Sequence, residues 1–164
     1  AFMSRHNQYL EDAADRVMIT DLLARYVWAA DYGSADEWAN VFTPDGIFGS
    51  ANGKLRVVGR ERLKQFLADL QRTVPHLHHV STSLKIELDG DRATGKCELN
   101  EFLSQPGAIY PNIHGWYEDE YVFDGERWLI KSRLVHQPHP ENAMTGVVGA
   151  YFQDFWEVCR NYRD

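Results

Sequence analysis

The spacing of apolar and polar positions alternates between helical and strand periods along the chain. From about Gln8 to Ala30, the residues Ile19, Leu22, Leu23, Tyr26, Val27 and Ala30 recur at the i, i+3, i+4, i+7 spacing of a helix with one buried face. The next position on that stripe is Asp31, and Gly33 offers a stop. In "SADEWANVF", Ser34 is an N-cap with Glu37 three residues on, and Trp38, Val41 and Phe42 share one helical face. "TPDG", Thr43 to Gly46, reads as a turn, "IFGS" as a short strand, and "NGK", Asn52 to Lys54, as hairpin chemistry. After Gly59, "RERLKQFLADLQRT" gives a third helix with Leu63, Phe66, Leu67 and Leu70 as its stripe, closed by Pro75.

From His76 the period becomes two. "HHVSTSLKIELDGDRATGKCELNEFL" reads as two strands joined at Asp89-Gly90-Asp91, and "IYPNIHGWYEDEYVFDGERWLIKSRLVHQ" as two more joined at Asp124-Gly125. "GVVGAYFQDFWEVCRNY" predicts a final helix whose apolar face holds Val148, Tyr151, Phe152, Phe155, Trp156 and Cys159. Helices first and antiparallel strands after them predict an α+β fold, with helices packed on one face of a bent sheet. No repeat, linker or low-complexity stretch interrupts it. The expectation is a tail over residues 1–7 and a single domain over 8–164.

Three polar features fall on apolar faces. Asp31 follows the core stripe of the first helix, near a C-terminus whose dipole disfavours negative charge; burial would raise its pKa further. The alternative is that the helix ends at Ala30 and Asp31 turns to solvent or caps backbone N–H groups. "HLHHVSTS" brings His76, His78 and His79 into one strand. Uninterrupted alternation puts His78 with Val80, Leu84, Ile86 and Leu88, and His79 with Ser81, Ser83, Lys85 and Glu87. His114, His136 or His139 could add a zinc ligand, but no HExxH or CxxC spacing supports one and no metal is assigned. Glu101 shares a face with Ala93, Gly95, Cys97, Leu99 and Leu103, with Asn100 on the other face; a bulge would return Glu101 to water.

Tyr26, Trp28, Phe48, Trp116, Tyr117 and Tyr121 could line a pocket or simply fill the core. Tyr26 stands out because a buried phenol needs a partner and can donate to a substrate oxygen. The candidates for substrate contact are His78, Glu101, Trp28, Phe48, Trp116, Tyr117 and His114. There is no GxGxxG, Walker loop or GxSxG. The chemistry left is acid–base work in an apolar pocket, without a cofactor.

Composition narrows the partners. A net charge of -7 over 164 residues argues against nucleic acid or an anionic membrane as main partner. The 13% aromatic content suits a ring-lined cavity. Cys97 and Cys159 read as reduced thiols, and no stretch reads as a leader or a membrane span, so a cytoplasmic protein is expected.

The order "ITDLLARYVWAADYGSADEWANVFTPDG", "VVGRERLKQFL", "HHVSTSLKIELDGDRATG", "YEDEYVFDGERWLIKSR" resembles the SnoaL-like branch of the nuclear-transport-factor-2-like (NTF2-like) superfamily, over roughly Ala13 to His136. The resemblance implies a cystatin-like cone: a curved mixed sheet wrapped around N-terminal helices, with a deep pocket. Within the superfamily the chain is most similar to cofactor-free lyases of the scytalone dehydratase, bile-acid 7α-dehydratase and hexachlorocyclohexane dehydrochlorinase types. Their Asp/His dyad falls on Asp31 and His79. The family spacing thus favours His79 where alternation favours His78, which stays the alternative. Tyr26 matches a helix tyrosine that hydrogen-bonds substrate oxygen, and Glu101 aligns near an acidic pocket residue. The Ser and Asn that scytalone dehydratase uses on a later strand have no counterpart in Gly115 to Tyr117.

The function implied is a dehydratase or eliminase acting on a small apolar cyclic substrate, with activity rising through the histidine pKa. Alternatives are a polyketide cyclase, a ketosteroid-isomerase-like enzyme, or a non-catalytic ligand-binding or dioxygenase small-subunit-like protein. A homodimer or homotrimer is implied.

Overall fold

The computed structural model describes residues 5–74, 76–138, 154 and 157–163. Three helices, α1 (Arg5–Tyr32), α2 (Ala35–Ala39) and α3 (Arg60–Thr73), accompany six strands. These are β1 (Phe42–Ser50), β2 (Arg56–Val58), β3 (Leu77–Asp89), β4 (Arg92–Gln105), β5 (Ala108–Phe123) and β6 (Trp128–His136). They form one mixed sheet in the order β2-β1-β6-β5-β4-β3; β1 runs parallel to β6 and the other pairs are antiparallel. The helices cover the concave face, and the α+β order read from the sequence holds.

α1 lies in the cone because its stripe of Ile19, Leu22, Leu23, Tyr26 and Ala29 is buried. Ile19, Leu22 and Leu23 each contribute about 1.5–3 kcal/mol on leaving water. Two polar ties fix its rotation: Trp128 Nε1 donates to Asp15 Oδ1 at 2.8 Å, and Arg16 Nη1 donates to the Ile86 carbonyl at 2.8 Å. The helix runs two residues past Ala30, so Asp31 lies in its last turn. Gly33 follows for steric reasons, since a Cβ there would meet Ala29 Cα at 2.9 Å. Ser34 and Glu37 form the capping box. α3 buries Leu63, Phe66, Leu67 and Leu70, the four residues of its stripe. Trp38, Phe42, Phe48 and Phe66 join the helices and β1 through ring contacts of 5.0–6.3 Å.

The sheet departs from plain alternation in four places. Thr43 to Gly46 does not turn the chain; it lies within β1 as an irregularity between the pairs Phe42↔Ile130 and Ile47↔Ser132. β5 and β6 shift register between Glu120 and Tyr121, and β4 and β5 between Glu101 and Phe102. The fourth shift lies in β3. Thr82 pairs with Glu98 but Lys85 pairs with Lys96, so β3 carries one extra residue. Ser83 marks the place with a φ of 55°. Downstream, Leu84, Ile86 and Leu88 pack on the core; upstream, Leu77 is buried and His79 is nearly so. The bulge thus puts His79 on the inner face and overturns the alternation that favoured His78.

Most of the final helix expected from the sequence, including Val148, Tyr151, Phe152, Phe155 and Trp156, lies outside the described residues, as does His139. Residues 157–160 are helical, and Val158, Cys159 and Tyr162 are buried. Tyr162 donates its hydroxyl to Asp69 Oδ2 at 2.7 Å and packs edge-on to Phe66 at 5.2 Å. Among the described residues, no helix is long and apolar enough to cross a membrane.

The left-handed backbone at Ser83 gives a test of the bulge. Ser83→Val should lower unfolding free energy by about 1–2 kcal/mol, because a β-branched side chain fits that conformation poorly, while Ser83→Gly should be close to neutral. Urea denaturation of the two variants against the parent reads the difference.

Candidate functional site

Asp31 is carried by the last turn of α1 and meets His79, the third residue of β3. His79 Nδ1 lies 2.5 Å from Asp31 Oδ1, and the His79 backbone N–H donates to Asp31 Oδ2 at 2.8 Å. One carboxylate therefore grips both the ring and the backbone of one histidine. Only 3% of the Asp31 side chain and 10% of the His79 side chain are exposed. Asp31 neither turns to solvent nor serves as an ordinary loop cap.

The other ring nitrogen is also engaged. Glu101 stands opposite His79 in the β3–β4 ladder, so both side chains point the same way, and His79 Nε2 lies 3.0 Å from Glu101 Oε2. Glu101 is buried on the inner face of β4, as its place among Ala93, Cys97, Leu99 and Leu103 predicts; the bulge that would have returned it to water does not occur. Glu101 Oε1 accepts a hydrogen bond from Asn112 Nδ2 of β5. Without the extra residue in β3, continuous pairing would set Val80 opposite Glu101 and leave a buried carboxylate without a cation.

These contacts decide the charge on His79. Burial disfavours its imidazolium, but hydrogen bonds to Asp31 and Glu101, with their charges, outweigh burial and push its pKa up to about 9. At neutral pH His79 is an imidazolium held between two carboxylates.

His79 and Glu101 face an apolar cavity of about 50 Å³ whose other walls include Tyr26, Trp38, Phe48, Phe66, Tyr117 and Cys159. That is less than the roughly 150 Å³ that accommodates a benzene ring in a rigid apolar hole, so a cyclic ligand requires the wall to yield. Asp31 does not line this cavity. It faces a second cleft of about 210 Å³, which shares Ala30, Leu67, Leu70 and His79 with the first. His79 is thus part of the partition between the two.

Beside the cavity lies a second buried charge. Arg133 of β6 is fully buried; its Nε donates to Asp119 Oδ1 at 2.8 Å and its Nη2 to Asp119 Oδ2 at 2.7 Å. The Tyr121 hydroxyl donates to the same carboxylate at 2.6 Å. The guanidinium lies 4.2 Å from the Tyr26 ring centroid and 4.1 Å from that of Tyr117, so two cavity-lining rings rest on a fixed cation. Burial, partly opposed by Arg133, pushes the Tyr26 hydroxyl up to about 12.

Of the residues singled out from the sequence, Tyr26, Phe48, His79, Glu101 and Tyr117 come together at the cavity, with Asp31 behind His79. Five others do not reach it, among them Tyr121, whose hydroxyl goes to Asp119 instead. His78 points outward, its Nδ1 3.2 Å from the Tyr32 hydroxyl, because the β3 bulge gives the inner face to His79. Trp28 is 66% exposed and packs on Tyr32, one helical turn away on the outer side of α1. Trp116 stacks on His136 at 5.0 Å, and His114 Nδ1 contacts Asn100 Oδ1 at 3.0 Å; both stand on the outer face of β5. Asn112, Asp119, Arg133 and Cys159 were missed as site residues. Asp119 was within reach, since it alternates with Tyr117 and Tyr121. Asn112 was not, because only a register shift aims it at Glu101.

Residues 11–134 match the SnoaL-like domain, and the chain belongs to that family. A Mycobacterium tuberculosis protein of unknown function is 24% identical, covers 99% of this chain and 96% of its own, and superposes with a TM-score of 0.84. An NTF2-like protein with a cystatin-like fold from Novosphingobium aromaticivorans is 19% identical, with coverage of 93% and 97% and a TM-score of 0.77. A protein of the same organism, provisionally assigned as a scytalone dehydratase, is 17% identical, with coverage of 77% and 85% and a TM-score of 0.67. At these identities the likeness is one of fold: the NTF2-like, cystatin-like cone.

His79 binds its proton more tightly in the folded chain than at its ordinary value of 6.5, so its contribution to stability is complete below about pH 6.5 and is lost as pH rises through about 9. The loss should be on the order of 3 kcal/mol. Urea unfolding at a series of pH values should show this decline, and His79→Gln should flatten it.

Proposed function

We propose that the protein is an acid–base lyase of the dehydratase or eliminase type, acting on a small apolar cyclic molecule. One observation carries this reading: a single imidazole at an apolar cavity contacts a carboxylate at each ring nitrogen, the two coming from different elements. Elimination needs a base for the proton on carbon and an acid for the departing group. As an imidazolium, His79 is the acid. Glu101, 3.0 Å away, is the neighbouring carboxylate that accepts the proton from carbon. The C–H bond and the bond to the leaving group break, a C=C bond forms, and the leaving group departs with the His79 proton. Glu101 then returns its new proton to the neutral imidazole, which restores the resting pair.

Asp31 stands behind the ring, orients it through Nδ1 and balances its charge. Tyr26 keeps its proton up to about pH 12 and can donate it in a hydrogen bond to a substrate oxygen. Apolar walls favour a substrate with one polar group near the pair and hydrocarbon elsewhere. The same pair would isomerise a double bond if Glu101 returned its proton to a second carbon, and product analysis separates the two outcomes.

The expectation of activity rising through the histidine pKa assumed a neutral imidazole; with His79 as the acid the sign reverses. On cyclic β-hydroxy ketones, followed by the absorbance of the conjugated product, kcat/KM should fall as pH rises through about 9. Asp31→Asn and His79→Ala should each lower kcat by about 10²–10⁴-fold with circular dichroism unchanged. Full turnover by both variants would end the proposal, and a profile rising through that pH would exchange the roles of acid and base.

A further inference from the structure

Between the pairs Glu101↔Ile113 and Phe102↔Pro111, β5 holds one residue more than β4, and that residue is Asn112. A bulge breaks the ladder locally and re-aims a side chain. Here the re-aimed amide donates from Nδ2 to Glu101 Oε1. The two oxygens of Glu101 are therefore divided, one to Asn112 and the other to His79 Nε2. An N–H donor stabilises a carboxylate and offers nothing to the O–H of a carboxylic acid.

The other polar groups facing this pair leave Asn112 a distinct task. Asp31 of α1 holds the far side of the imidazole. Tyr26 of α1, Tyr117 of β5 and Cys159 near the C-terminus also line the cavity, and burial raises the pKa of all three, so they stay neutral. α3 presents Phe66, Leu67 and Leu70, which do not titrate. Among the described residues, Asn112 is the one donor besides His79 that reaches the Glu101 carboxylate.

We propose that Asn112 is a positioning residue: its amide, delivered by the β5 bulge, holds one oxygen of Glu101 and turns the carboxylate so that its second oxygen meets His79. Its catalytic meaning rests on the acid–base reading above, but its test does not. Removing the donor loosens the aim of the Glu101 carboxylate, so the His79 imidazolium loses part of its support. Asn112 touches neither the reacting atoms nor the cavity; it acts through Glu101.

The test is an NMR titration of the His79 ring in the free protein, in isotopically labelled samples. The parent should titrate near 9. Asn112→Ala should lower that value by about one unit, the effect expected from losing a hydrogen bond to a charged group. Glu101→Gln should lower it further, and Asn112→Gln, which keeps an amide donor, should recover most of the loss. Asn112→Leu keeps the volume without the donor and gives the same fall if the alanine variant does not fold. An unchanged His79 titration in a folded Asn112→Ala or Asn112→Leu protein overturns the positioning role. A fall in these variants, in a protein that turns over no β-hydroxy ketone, supports the positioning role and overturns the lyase reading. A parent titrating at or below the ordinary histidine value overturns both.

Discussion

Charge inside an apolar cone must be matched within hydrogen-bond distance, and two such matches set terms for the rest of the chain. The first joins Asp31, His79 and Glu101 from α1, β3 and β4. The second joins Arg133 and Asp119 from β6 and β5, under the rings of Tyr26 and Tyr117. Neither tolerates a slip of one residue, since a strand that slips turns its side chains to the opposite face. An unmatched buried charge is strongly destabilising, more so than the loss of a methyl group from the core. The ties from Asp15 to Trp128 and from Arg16 to Ile86 bear on the site for this reason: they fix the rotation of α1 and so the direction of Asp31.

The sheet meets these terms by breaking its own period. In β3 the bulge at Ser83 lets Leu84, Ile86 and Leu88 face the core while His79, on the opposite parity, also faces it. In β5 the bulge at Asn112 frees an amide from the ladder and turns it toward Glu101. Both bulges flank the same imidazole–carboxylate contact, on the two sides of β4.

Much of this was legible in the sequence, and the part that was not has a common cause. The stripe of α1, the stripe of α3, the capping box at Ser34 and the turns at Gly90 and Gly125 follow from periodicity and local turn chemistry, and they appear where expected. Asp31 and Glu101 could be read as polar residues on apolar faces because each lies on an unbroken stretch of its helix or strand. His79 could not be read that way. Alternation counted back from Leu84 crosses the Ser83 bulge and gives the wrong face, and only the spacing of a family resemblance pointed to it. Asn112 escaped for the same reason, and Trp116 and His114 were misplaced because aromatic and imidazole content says nothing of which face of a strand they occupy. "TPDG" has turn residues but becomes an irregularity within β1, since β1 stays paired with β6 on either side of it.

The two charged groups also differ in what removes them. His79 gives up its proton near pH 9, whereas the guanidinium of Arg133, raised further by Asp119 and the rings around it, remains charged well beyond that point. Rising alkalinity therefore acts on the molecule in sequence. It first neutralises the imidazolium between Asp31 and Glu101, and only later reaches the ion pair beside the cavity. Between those two points the Arg133–Asp119 pair keeps its charge while the group of Asp31, His79 and Glu101 has lost the cation at its centre.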